Sequence, residues 1–183
     1  MRSLFRPLLL AGLLAAPLTY AAPLKTDMAK SRASVVFKQI GVPVEAPFKK
    51  FSAVIDYDPA KPQAASARVE IEVASFDLGM AEMNQEVVKK EWFNAAQFPK
   101  ATFVSTAIKA GAAGFLQASG KLTVKGRVLD VSFPVSVRKD GAATVFEGSL
   151  PIRRLAFLVG EGDWKDTDTV ADEVTIKFRI TAQ

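Results

Sequence analysis

Few side chains in this sequence could do chemistry, and those few are acids, arginines and aromatics. Its 183 residues include no His and no Cys. Disulfides, thiolate and imidazole metal sites, Cys nucleophiles and His-based acid–base pairs are therefore excluded. Asp56, Glu70, Glu72 and Asp77 are available for a paired-carboxylate hydrolase of the glycosidase kind. Glu161, Asp163, Asp166, Asp168 and Asp172 form an acidic stretch beside Gly160 and Gly162. Carboxylates at alternating positions suit calcium, but the spacing does not match D-x-[DN]-x-[DN]-G-x5-E. A solvated turn is the plainer reading, and no metal is expected. Arg153 and Arg154 are adjacent, so on a strand they face opposite sides. One of them points inward, where a guanidinium would hold a phosphate or a carbonyl oxygen, or pair with an acidic neighbour. Trp92 and Phe93 stand together at the end of a helical stretch.

The elements that must position these groups are mostly strands. Ala67, Val69, Ile71 and Val73 alternate with Ser66, Arg68, Glu70 and Glu72, the pattern of a strand wet on one face only. The same period runs through Phe51–Tyr57, Val131–Val137 and Val174–Ile180. Weaker strands are expected at Ala33–Gln39, Lys100–Ile108, Gly114–Val124 and Thr144–Ile152, which makes about eight in all. Lys125-Gly126-Arg127 and Lys139-Asp140-Gly141 read as tight turns joining antiparallel neighbours. From Asn84 to Trp92 the spacing becomes helical, and Asn84 is the expected N-cap of one short inserted helix. Strand parity sends Asp56, Glu70 and Glu72 outward, away from any shared cleft.

The segment from Met1 to Ala21 reads as an address. Arg2 and Arg6 precede an apolar run that ends at Thr19-Tyr20-Ala21, the small-residue pattern of a signal-peptide cut after Ala21. The run is short for a membrane span, and Pro17 interrupts it. The mature domain is then 22–183, with a periplasmic destination and no spanning segment. Removing Arg2 and Arg6 from the 24 basic residues, against 19 acidic ones, leaves a charge of +3. That mild excess suits a solubilising surface rather than a nucleic-acid partner. The sequence leaves the oligomeric state open, a homodimer included.

Many antiparallel strands with one wet face must bury the other, in a sandwich or a barrel. The interior of an eight-stranded barrel is either filled by side chains or holds one small ligand. The inferred inner face is uncharged and mixes large with small residues: Phe103 beside Ala101 and Ser105, Leu122 beside Gly120 and Ala118. The small residues either leave room or simply fit the taper of the barrel. A cavity so lined would suit a hydrocarbon chain. About 20 buried carbons would contribute on the order of 16 kcal/mol before ordering and association costs. Phe51, Ile55, Ile71, Val73, Phe103, Leu122, Phe133, Phe157 and Phe178 are the candidates for the wall of such a cavity, or else ordinary core. Trp92 is expected to line it and Phe93 to seal it. Arg154 is the candidate for its mouth.

An ordered set of blocks adds to this reading: FSAVIDYDP at 51–59, VEIEVASFDL at 69–78, EWF at 91–93, FPKATFVST at 98–106, GKLTVKG at 120–126 and RLAFLVG at 154–160. The series resembles the YceI-like family of periplasmic proteins over nearly all of the mature chain. The resemblance implies an all-β, lipocalin-like antiparallel barrel of about eight strands with one short inserted helix and an elongated apolar cavity. It also implies a long-chain lipid partner, namely a polyisoprenoid, an isoprenoid quinone or a fatty amide. No catalytic site is implied, and no cofactor beyond a bound isoprenoid or quinone-type lipid. One block departs from the family pattern. Ala156 and Leu158 stand where the family has an acidic residue and a glycine, which removes a charge near Arg154 and adds bulk. The function so expected is non-catalytic carriage of a long-chain amphiphile. The alternatives are a solid-core interaction domain of the envelope and a carboxylate-based hydrolase.

Overall fold

Alternation of period two produces strands wherever it is found. The computed structural model describes residues 23–112 and 114–183, so the expected signal peptide lies outside the described residues. In chain order the strands are β1 (Arg32–Gln39), β2 (Val42–Phe48), β3 (Phe51–Asp56), β4 (Ser66–Glu72), β5 (Lys100–Ala110), β6 (Phe115–Val124), β7 (Arg127–Asp140), β8 (Ala143–Arg153) and β9 (Val170–Ala182). A single α-helix, α1 (Ala81–Val87), is inserted between β4 and β5. All pairings are antiparallel, in the order β2-β1-β9-β8-β7-β6-β5-β4-β3. The sheet curls into a lipocalin-like half-barrel with its apolar face inward.

Nine strands are present where about eight were expected, and the extra one is β2. Its Pro43 and Pro47 hide it from a pattern search. Both are tolerated because β2 lies at the edge of the ladder, where a missing N–H breaks no central pairing. Directions alternate along the ladder, so β2 and β3, its two edges, run the same way. Only Lys49 and Lys50 separate them. They behave as one bent strand whose first half pairs with β1 and whose second half pairs with β4, which recovers a count of eight.

The seam between these edges is stitched by backbone outside the ladders. Leu24 N donates to Ile55 O at 2.8 Å, and Thr26 Oγ1 to Ala53 O at 2.6 Å. From the same segment, Asp27 N donates to Thr181 O and Lys25 N to Gln183 O, so it spans from β3 to the end of β9. Further along, Asp77 N reaches Pro47 O and Lys49 N reaches Ser75 O. The Lys49 ammonium, 2.6 Å from Asp77, holds that carboxyl down to about 2, helped by the Asn84 amide and the Gly79 N–H.

Asn84 is not the N-cap of α1. The helix starts three residues earlier, and Asn84 lies inside it, accepting from Leu78 N and donating to Asp77. The helix is also shorter than the spacing suggested, because it ends at Val87 and Trp92 falls in the turns beyond it.

The turn at Lys125-Gly126 has positive φ at both residues, 48° and 73°, as a two-residue hairpin requires. The β1–β2 hairpin uses the same form at Ile40 and Gly41, with φ of 49° and 75°. A β-branched residue is a poor occupant of that conformation. Ile40 is also the most exposed of the large apolar side chains among the described residues, at 74%. Ile40→Asn is expected to stabilise the fold by roughly 0.5–1 kcal/mol, since left-handed backbone costs most residues about 1–2 kcal/mol and Asn less. A urea titration showing no gain would mean that Ile40 makes a compensating contact.

Candidate functional site

The inward faces of the strands do not meet. They line a cavity of about 260 Å³ with almost wholly apolar walls. At about 30 Å³ each, that volume takes roughly nine water- or methylene-sized groups. The cavity is elongated: Leu116 and Val124, at opposite ends of β6, both line it. Eight residues of strand separate them, roughly 26 Å at the usual rise. Tyr57 and Phe146, in edge-to-face contact at 5.3 Å, stand toward the Leu116 end. Trp92, Phe157 and Trp164 stand at the end marked by Val124 and α1.

Nine of the eleven expected site residues are on this wall: Ile55, Ile71, Trp92, Phe103, Leu122, Phe133, Arg154, Phe157 and Phe178. Phe51 and Val73 are not. Strand β4 ends at Glu72, so Val73 opens a 3-10 turn and parity no longer governs it; its side chain is buried in protein. Phe51 begins β3 just past the Lys49–Lys50 bend and is half-buried against the core. Phe48, Phe76 and Phe93 form the wall there, with ring centroids 4.9–6.2 Å apart. Phe93 thus lines the cavity together with two rings that the sequence did not single out. Trp164 was also missed, because it lies within the acidic stretch read as a solvated turn. Its ring packs against Trp92 at 5.1 Å.

The small inward residues do not all leave room. Phe103, Phe133 and Phe178 form a row across β5, β7 and β9, with centroids 5.3 and 5.8 Å apart. The two outer rings pack close against glycines. A Cβ on Gly120 would come within 2.6 Å of the Phe103 ring, and one on Gly148 within 2.6 Å of the Phe178 ring. Gly148→Ala is expected to destabilise the fold by about 1–3 kcal/mol through overpacking. Phe178→Leu in the same chain should restore part of that loss in a denaturant titration. A loss the second substitution leaves unchanged would put the clash on the Pro134 carbonyl, 2.9 Å from the added carbon.

Arg154 is neither free at a mouth nor paired with an acid. Strand β8 stops at Arg153, and Arg154 starts a 3-10 turn with its side chain inside the protein. Its five N–H groups donate to five backbone carbonyls. Nε reaches Ala171 at 3.1 Å, Nη1 reaches Val159 and Gly160 at 2.9 and 3.2 Å, and Nη2 reaches Trp164 and Val170, both at 2.7 Å. No donor is left for a headgroup, which corrects the expected role. Burial lowers the guanidinium pKa, and Asp172 and Asp166 oppose this from a distance. Gly160 belongs to the cage, since a Cβ there would fall 2.0 Å from Nη1. Leu158, where the resemblance expects glycine, holds a φ of 58° that glycine would adopt more easily.

Lys125 anchors the same loop from the other side. Its Nζ donates to Leu158 O at 2.6 Å and to Glu161 at 2.8 Å, which lowers the Glu161 pKa. The rest of the acidic stretch serves its own turns. Asp166 accepts from Asp168 N and Thr169 Oγ1, and Asp172 accepts from Leu155 N. Among the described residues no three acids gather where a metal ion could be held. The carboxylates considered for hydrolysis are dispersed as well. Glu70 pairs with Lys100 and Arg68, and Glu72 with Lys50, outside the barrel. Among the described residues the one carboxylate on the cavity lining is Glu86, tied to Lys89 at 2.5 Å. No helix among the described residues is long and apolar enough to cross a membrane.

A curled antiparallel sheet around an elongated apolar cavity, with a helix at one end, defines a lipocalin-like binding barrel. The YceI-like domain model matches residues 24–182, and the chain belongs to that family. A UPF0312 protein of Shewanella baltica strain OS195 is 33% identical over 153 residues, covering 82% of this chain and 76% of its own. The crystal structure of Burkholderia cenocepacia BcnA superposes with a TM-score of 0.85 at 51% identity, over 87% of this chain and all of that one. A polyisoprenoid binding domain from Saccharophagus degradans shares the fold, with a TM-score of 0.70 at 17% identity over 88% of this chain and 97% of that one.

Proposed function

We propose that this protein is a non-catalytic periplasmic carrier that shields the chain of a long amphiphilic lipid from water. The elongated apolar cavity carries this reading. Each methylene buried there would contribute about 0.8 kcal/mol, and binding needs no reacting group. A polyisoprenoid, an isoprenoid quinone and a fatty amide all fit that chemistry. The fold shared with a polyisoprenoid binding domain supports it. The signal-like segment from Met1 to Ala21 supports export.

The test is organic extraction of protein purified without detergent from its native host, followed by mass spectrometry. Near-stoichiometric recovery of one long-chain amphiphile is expected. A protein that yields none, and that also refuses apolar probes, would be a solid-core interaction domain instead. For the compartment, the cell-fractionated protein should sit in the periplasm with Ala22 as its first residue. An intact leader on cytoplasmic protein would refute export.

A further inference from the structure

The Trp92 side chain breaks the rule that buried polar groups are paired. Its indole nitrogen is the one buried side-chain polar atom among the described residues without a hydrogen-bond partner. The residue is only 9% exposed and stands on the cavity wall. A donor left unpaired in such surroundings is costly, and an acceptor arriving with a ligand would recover the loss. The surroundings make the donor stronger. The Arg154 guanidinium lies 5.7 Å from the Trp92 ring centroid. Its hydrogen bonds go to neutral carbonyls, and Asp172 and Asp166 act on it only from a distance. The far end, at Leu116, Tyr57 and Phe146, has no buried unpaired donor among the described residues.

We propose that the Trp92 indole N–H donates to an oxygen of the ligand's head group. That contact would orient the molecule, with its head against Trp92 and its tail toward Tyr57 and Phe146. It would also select carbonyl-bearing chains over plain hydrocarbons of the same length. The inference rests on the carrier reading above and adds a direction and a chemical class to it.

The test uses a matched pair of probes, a long-chain primary amide and the terminal alkene of equal length. Each displaces an apolar fluorescent dye from the mature protein. Trp92→Phe keeps a ring and removes the N–H. It is expected to weaken amide binding roughly 5- to 30-fold, the worth of one hydrogen bond in a buried site, and to change alkene binding less than about twofold. Equal losses for the two probes, or no loss for the amide, would overturn the proposal. If neither probe binds the unaltered protein, the carrier reading falls and this inference goes with it. A second measurement avoids mutation at Trp92. The sequence holds two Trp residues, so the protein gives two indole N–H resonances, which Trp164→Phe assigns. The Trp92 proton should move downfield with the amide and stay in place with the alkene. A signal indifferent to both bound probes would also refute the contact.

Discussion

Arg154→Met is expected to destabilise the fold by about 3–5 kcal/mol, the scale for breaking a buried charged network from one side. The substitution keeps much of the side-chain volume and removes every donor, leaving the carbonyls of Val159, Gly160, Trp164, Val170 and Ala171 without their shared partner. Those carbonyls come from the loop after β8 and the start of β9, so this cation ties together the side of the cavity floor that Lys125 does not reach. Arg154→Lys should recover little, because an ammonium has three donors on a point charge and the cage needs a planar fork of five. The measurement is a denaturant titration with an unchanged slope. A loss under about 1 kcal/mol, which is within the range of an ordinary surface change, would show that the cage is dispensable. Arg154 would then be available for the headgroup role that the sequence suggested.

Phe103→Asp is expected to abolish lipid retention, by a factor of a hundred or more. The ring lines the cavity, in contact with Phe133 and close against Gly120. An unpaired carboxylate there costs several kcal/mol to bury, enough for more than two decades of affinity. Circular dichroism must show the fold intact. Phe103→Leu is the companion that changes shape without adding charge, and it should keep most of the affinity. Binding by Phe103→Asp should partly return at low pH, where the introduced carboxyl is neutral. A folded Phe103→Asp protein that still binds at neutral pH would place the ligand away from the aromatic row.

The strands were readable because one face is wet and the other dry, so period two is written into them. The parity of β4, β7 and β9 alone places Ile71, Phe133 and Phe178 on the inner wall. Parity fails where a strand stops. Val73 and Arg154 each stand one residue past a strand end, where a 3-10 turn re-aims the side chain. The same limit hides the floor, since Trp164 reaches the cavity from a turn whose composition looks solvated. Strand β2 was hidden for a different reason: its prolines are legible only to a reader who already knows that it is an edge. The five-carbonyl cage has no sequence signature, because backbone carbonyls belong to every residue. Ile40 and Leu158 are the reverse case, in which topology imposes a backbone conformation that the residue type argues against.

The pairing of β1 with β9, and of Thr26 with Ala182, joins the two ends of the domain. While the chain is being made, β1 must wait for its neighbour until nearly all the intervening residues have left the ribosome. Hairpins such as β6–β7 can form meanwhile, but the cylinder cannot shut. Loop-closure entropy makes that final step slow. For a polypeptide exported as proposed above, this delay is useful, since it keeps the protein from locking before it has been threaded through a translocon.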